Sequence, residues 1–126
     1  MKRIIGLLIM LTMFLIPIQV KAGTRINMGE FKITYYCPCE ICSEGWGHRT
    51  SSGKTARSEH TIAVDPEVID IGSRVLINGI VFTAEDTGGG VKGDHIDIFV
   101  DSHEETIKKG VQHTNIWVVR GKEYGE

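Results

Sequence analysis

The chain of 126 residues has little that would let it work through broad surface charge, through repetition or across a membrane. Its formal net charge is −2, and three of its cations, Lys2, Arg3 and Lys21, sit in the first 22 residues. The remainder is more acidic still and offers no wide cationic face to nucleic acid or anionic lipid, so no nucleic-acid partner is expected. No internal repeat and no low-complexity stretch divides it. No long apolar run follows residue 22. Only three cysteines occur, all between positions 37 and 42, an odd and local set.

The one apolar run is at the start. Lys2 and Arg3 precede a stretch from Ile4 to Ile16 broken only by Gly6 and Thr12, and Pro17 ends it. Val20-Lys21-Ala22 presents short residues where a signal peptidase reads, so residues 1–22 are expected to be a signal peptide cleaved before Gly23. A spanning helix needs roughly 20 apolar residues, more than this run supplies. No cysteine adjoins the cleavage point, which leaves no lipoprotein signal. A secreted protein is expected, extracellular or in the cell wall, monomeric and with no stable membrane anchor after cleavage.

Residues 23–29 read as a flexible lead, and 30–126 as one domain of about 100 residues, enough for a single core. Residues 30–36 (Glu-Phe-Lys-Ile-Thr-Tyr-Tyr) alternate and read as a strand. Further strands are expected at 61–65, 73–77, 80–84, 95–100 and 115–120. Asn78-Gly79 forms a hairpin turn between two of them. Residues 43–60 are rich in Gly, Ser and Thr and read, with the cysteines before them, as a long surface loop of the functional kind. Ser102 and Glu105 form a capping box opening a helix that ends at Gly110. The expectation is a mainly all-β domain of six strands, with one short helix and a long cysteine-containing loop.

The stretch from Ala84 to Asp97 (Ala-Glu-Asp-Thr-Gly-Gly-Gly-Val-Lys-Gly-Asp-His-Ile-Asp) organises the rest. Three successive glycines serve a tight bend or the close approach of another molecule, not a core. Ile96, Ile98 and Val100 share one strand face, which turns Asp97 and Phe99 to the other. Asp86, Asp97 and an earlier strand-ending Asp65 are expected to meet in one groove for acid/base chemistry. Each has an ordinary structural use as well: Asp65 precedes Pro66 in a turn, and Asp86 precedes Thr87-Gly88 in a loop. Asp97 is the hardest to explain that way, because an unpaired carboxylate in an apolar strand is costly.

Thr55-Ala56, residues 61–66 (Thr-Ile-Ala-Val-Asp-Pro), residues 84–89 (Ala-Glu-Asp-Thr-Gly-Gly) and residues 91–99 with His95-Ile96-Asp97-Ile98-Phe99 resemble the 3D domain family. That family is named for three aspartates and is also found in membrane-bound lytic transglycosylase A and in secreted cell-wall proteins of the survival and resuscitation type. The resemblance runs from about Phe31 to Val119. It implies a double-psi β-barrel that cleaves peptidoglycan glycan strands in cell-wall turnover, with Asp97 as acid/base and Asp86 beside it. The chain departs from the pattern at Thr50-Ser51-Ser52-Gly53, at Gly90 and at His95, and leaves the aspartates intact.

Glycosidic cleavage needs a carboxyl group whose pKa is raised by a like charge and by burial. In lytic transglycosylation one group protonates the bridging oxygen and then takes the proton of the sugar's own C6 hydroxyl. Hydrolysis would require a second carboxylate as nucleophile or base. Thr87, Gly88, Gly89, Lys92 and His95 are candidates for holding substrate, and Trp46 could stack on a sugar ring. A wall-binding module that does not cut is a further reading. An aspartic protease is a remote one, since Asp86-Thr87-Gly88 is that class's tripeptide.

No organic cofactor is implied. Cys37, Cys39 and Cys42 with His48 or His60 could make a tetrahedral zinc site. One disulfide plus one thiol is the expected arrangement, because the spacing is not a paired zinc-finger pattern; a catalytic thiol is a third option. His48, His60, His103 and His113 otherwise read as surface residues.

Overall fold

A computed structural model describes residues 23–121. The expected signal peptide at 1–22 lies outside them. Six strands close into a barrel: β1 (Thr24–Tyr36), β2 (Thr61–Val64), β3 (Arg74–Ile77), β4 (Ile80–Asp86), β5 (His95–Phe99) and β6 (Gln112–Arg120), in spatial order β1-β5-β2-β4-β3-β6. Pairs β1–β5 and β2–β4 are parallel and the other contacts antiparallel. The six strands are those expected from the sequence pattern, and their closure into a barrel is what the resemblance implied. Closure leaves no open sheet edge.

The inward faces follow from strand alternation. Phe31 and Ile33 of β1, Ile62 and Val64 of β2, Val75 and Ile77 of β3, Ile96 and Ile98 of β5 and Ile116 of β6 are buried in one core. Each such side chain contributes about 1.5–3 kcal/mol relative to exposure. The β3–β4 hairpin turns at Asn78 and Gly79 with φ of 48° and 81°, the doubly left-handed backbone that this dipeptide favours. A second, smaller cluster lies outside the barrel wall, where Tyr36, Ala56, Ala63, Val91 and Phe99 pack together.

Two expectations are corrected. The segment 23–29 is not a flexible lead: β1 begins at Thr24 and pairs with β6 from Thr24↔Arg120 onward, with a bulge between Asn27 and Gly29. What orders it is the distant partner strand. The cysteine loop also contains a helical turn, α1 (Glu40–Ser43), with Cys39 as its N-cap, so the described residues hold two short helices. The second, α2 (His103–Lys109), starts from the expected cap: Glu105 N–H donates to Ser102 Oγ at 3.3 Å.

Candidate active site

Register places four residues in one row across the outer face of the barrel. Thr34 of β1 pairs with Asp97 of β5, Asp97 with Ala63 of β2, and Ala63 with Asp86 of β4. The last step depends on a bulge: Ile62 faces Ala84, yet Ala63 faces Asp86, so Glu85 is the extra residue. Bulges of this kind re-aim side chains beside sites. Here Glu85 turns to His60 Nε2 at 3.0 Å and receives the Thr61 hydroxyl at 2.9 Å, while Asp86 joins the row.

The row forms part of a groove of about 590 Å³. Asp86, Asp97, Ala63 and Tyr36 line it, the glycine loop from Thr87 to Lys92 forms one wall, and the segment from Cys42 to Ser51 contributes the other. The volume lies in the range of ordinary ligand sites, about 300–1,000 Å³. Trp46 stands in the second wall, 61 % exposed.

The two carboxylates differ in their company. Asp86 accepts three hydrogen bonds: from Ser51 N–H and Thr87 N–H on Oδ1, both at 2.9 Å, and from the Tyr36 hydroxyl on Oδ2 at 2.8 Å. Burial first, then the Asp86 charge and its hydrogen bond, hold the Tyr36 hydroxyl far above its ordinary pKa, so it stays a donor. Asp97 accepts one hydrogen bond, from the Thr34 hydroxyl to Oδ1 at 3.0 Å. Its Oδ2 makes none among the described residues. Burial raises the Asp97 pKa and the Asp86 charge adds to this, while the Thr34 hydrogen bond and His95 oppose it.

His95 completes a chain of contacts. Its Nδ1 lies 3.2 Å from the Gly90 carbonyl oxygen and its Nε2 2.7 Å from Thr34 Oγ1. A carbonyl only accepts, so Nδ1 carries a proton. His95, Thr34 and Asp97 thus form one continuous hydrogen-bonded chain, in which Thr34 donates to Asp97.

Of the residues singled out from sequence, Asp86, Asp97, Thr87, Gly88, Gly89, Lys92 and His95 all line the groove. Asp65 does not. It is 8 % exposed and ties the loop from behind, accepting from Gly93 N–H at 2.8 Å on Oδ2 and from Glu67 N–H at 3.0 Å on Oδ1. These hydrogen bonds, Gly93's above all, with the Lys92 charge, hold its pKa below the usual carboxylate value. The expected meeting of three aspartates is therefore a pair plus a loop anchor.

The cysteines are also corrected. All three are free thiols. The histidine beside them is His103 at the start of α2, not His48 or His60. His48 packs its ring on Phe99, with centroids 5.6 Å apart, and His60 is engaged by Glu85. Thr34, Tyr36, Ser51 and His103 are the residues that sequence reasoning missed. Thr34 and Tyr36 share one face of β1 by alternation, the only local signal any of them gives.

The fold and groove define a small closed barrel with a pair of aspartates, Asp86 and Asp97, on its outer wall. Residues 60–120 match the family model of the 3D domain. It is 46 % identical over 59 residues to the cell wall-binding protein YocH of Bacillus subtilis, covering 46 % of this chain and 21 % of YocH. It is 35 % identical over 89 residues to YabE of the same bacterium, covering 68 % of this chain and 21 % of YabE. The chain thus spans about a fifth of the length of these two relatives. Among solved structures it is similar to MltA from E. coli, with a TM-score of 0.48 and 22 % identity over 57 % of this chain and 27 % of that one.

Proposed function

We propose that the groove binds glycan strands of the bacterial cell wall outside the cell and cleaves them by lytic transglycosylation, with Asp97 as the single acid/base. The observation that carries this reading is the contrast between the carboxylates. Both oxygens of Asp86 are held by hydrogen-bond donors, whereas Asp97 keeps Oδ2 without a protein partner and has a raised pKa. A hydrolase needs a second carboxylate free to attack or to activate water. Asp86 is poorly placed for that, and well placed to keep Asp97 protonated by its charge.

In the reaction, Asp97 gives its proton to the bridging oxygen as the bond from the muramyl C1 breaks. The C6 hydroxyl of that same sugar attacks C1, and its proton returns to Asp97. A 1,6-anhydro sugar leaves and no water is consumed. The His95–Thr34 chain holds the Asp97 side chain in position, while Trp46 and the backbone of Gly88 and Gly89 hold the sugars. Digestion of purified sacculi with separation of the muropeptides tests this: anhydro ends are expected from the parent chain and none from Asp97→Asn. A second reading, a module that binds the wall without cutting, draws on the name of YocH. Bound glycan with neither anhydro nor new reducing ends would favour it.

A further inference from the structure

Four metal-binding side chains converge at the end of the barrel, next to the groove. Strands β1 and β5 are parallel and end side by side at Tyr36↔Phe99, with Val100 N–H donating to the Tyr36 carbonyl at 2.8 Å. The chain therefore leaves both strands in the same direction. Cys37 follows the first, and Ser102-His103 follow the second. The turn α1 brings Cys39 and Cys42 back onto Cys37, and the α2 cap aims His103 at all three.

We propose that Cys37, Cys39, Cys42 and His103 bind one zinc ion, which clamps the cysteine wall of the groove to the barrel. The donor atoms all lie within 4.8 Å of one another. His103 Nδ1 is 3.3 Å from Cys42 Sγ, 3.8 Å from Cys39 Sγ and 4.0 Å from Cys37 Sγ. A tetrahedral zinc with ordinary bond lengths sets sulfur–nitrogen separations of about 3.6 Å and sulfur–sulfur separations of about 3.8 Å. The three nitrogen distances bracket the first figure. The Cys37–Cys39 sulfur pair, at 3.1 Å, is closer than the second and far outside the roughly 2.05 Å of a disulfide bond.

Local geometry agrees with this donor set. Cys39 caps α1 by accepting the Cys42 N–H at 3.5 Å, so Cys39 and Cys42 form a compact C-x2-C unit whose sulfurs are turned to one side. Cys37 is buried and His103 exposed, which leaves the site reachable from solvent. Three thiolates and one imidazole suit zinc rather than a hard cation, and four protein ligands fill a tetrahedral site, so its role is structural. A disulfide would use two sulfurs and leave His103 and the third without a function. Cys42, Ser43, Glu44 and Trp46 all line the groove, so the ion would hold in place the wall that carries the exposed tryptophan. The metal assignment itself does not rest on what the groove cleaves.

The experiment loads the purified, reduced chain with zinc chloride, dialyses it and measures metal by mass spectrometry under native conditions. One zinc per chain is expected. Cobalt chloride in its place should give the intense visible bands of a tetrahedral ion and a sulfur-to-cobalt charge-transfer band. Removal of outer-shell partners alone costs 10–100-fold in affinity, so Cys39→Ser and His103→Gln should each weaken binding by at least about a hundredfold. His103→Gln is on the surface with its Ser102 cap intact, so its fold can be verified by circular dichroism. His48→Gln should leave zinc affinity and the cobalt spectrum unchanged. A chain that keeps no zinc, one that closes a disulfide in the presence of zinc, or a folded His103→Gln that binds as tightly as the parent would each overturn the assignment.

Discussion

Asp86 and Asp97 are both register partners of Ala63, one on each side of it. Neighbouring strands lie about 4.8 Å apart, so the two aspartate backbones are separated by only one strand. The small Ala63 side chain between them leaves the carboxylates facing a common space. Asp86, fixed by its three donors, acts on Asp97 mainly through charge. Removing the Asp97 carboxyl should lower cleavage by about 10²–10⁴-fold, the usual contribution of a general acid. Asp97→Asn, measured by release of anhydro ends from sacculi, is the direct check, and unchanged turnover would remove Asp97 from the chemistry.

The same substitution should act oppositely on stability. The folded state holds the Asp97 proton more tightly than the unfolded chain does. Its stabilising contribution is complete below the ordinary aspartate pKa and is lost as pH rises through the raised folded value. Asp97→Asn removes that loss, so its Tm should exceed the parent's at neutral pH and approach it in acid. A thermal melt series over pH reads the difference, and a lower Tm at neutral pH would contradict the burial argument.

Asp65 gives the reverse sign. Its folded pKa is lowered by the Gly93 and Glu67 N–H groups and by Lys92. The stability it adds is present above the ordinary aspartate pKa and fades as pH falls through the lowered value. Asp65→Asn should therefore lower Tm at neutral pH, with the gap closing in strong acid. Because Asp65 anchors the loop from behind, the folded variant should still cleave at a reduced rate. Complete loss of cleavage in a chain shown to be folded would return it to the chemistry.

The barrel was legible wherever one strand carried its own pattern. Ile96-Asp97-Ile98 alternates so sharply that both the core-facing side and the half-buried aspartate on the opposite side could be read directly, and Asn78-Gly79 announced its turn. The β1 segment before Gly29 was not read as a strand, since the alternation of Arg25-Ile26-Asn27-Met28 is short and its pairing with β6 is what orders it. Asp65 looked equal to Asp86 and Asp97 in sequence, and only the position of the Gly93 amide separates its role from theirs. His103 is 61 residues from Cys42, and its arrival depends on the parallel β1–β5 pairing, which alternation within either strand does not encode. The bulge at Glu85 is invisible for the same reason: it exists only relative to β2.

Core packing allows a check independent of the groove. Ile96 is fully buried between strands that contribute to the row, and replacing it by Ala removes three carbons from a closed interior. Such changes cost about 2–5 kcal/mol. Denaturant unfolding of Ile96→Ala should show a loss in that range, with the midpoint falling and the slope preserved. A loss under about 1 kcal/mol would mean that the interior relaxes far more than a closed barrel allows.

The His95–Thr34–Asp97 chain makes the sharpest prediction about pH. Both the Thr34 hydrogen bond and the His95 charge pull the Asp97 pKa down against burial and Asp86. Removing either should let it rise further. A general acid works only while protonated, so the alkaline limb of the kcat/KM profile should move to higher pH in Thr34→Val and in His95→Gln. The maximal rate should fall by about tenfold, or about 1.4 kcal/mol, because the carboxyl is less firmly held. If the two residues act through one proton chain, the double variant should shift the limb by less than the sum of the single shifts. A limb that stays in place while the rate falls would mean that these residues only support the groove wall, and additive shifts would mean that they reach Asp97 separately.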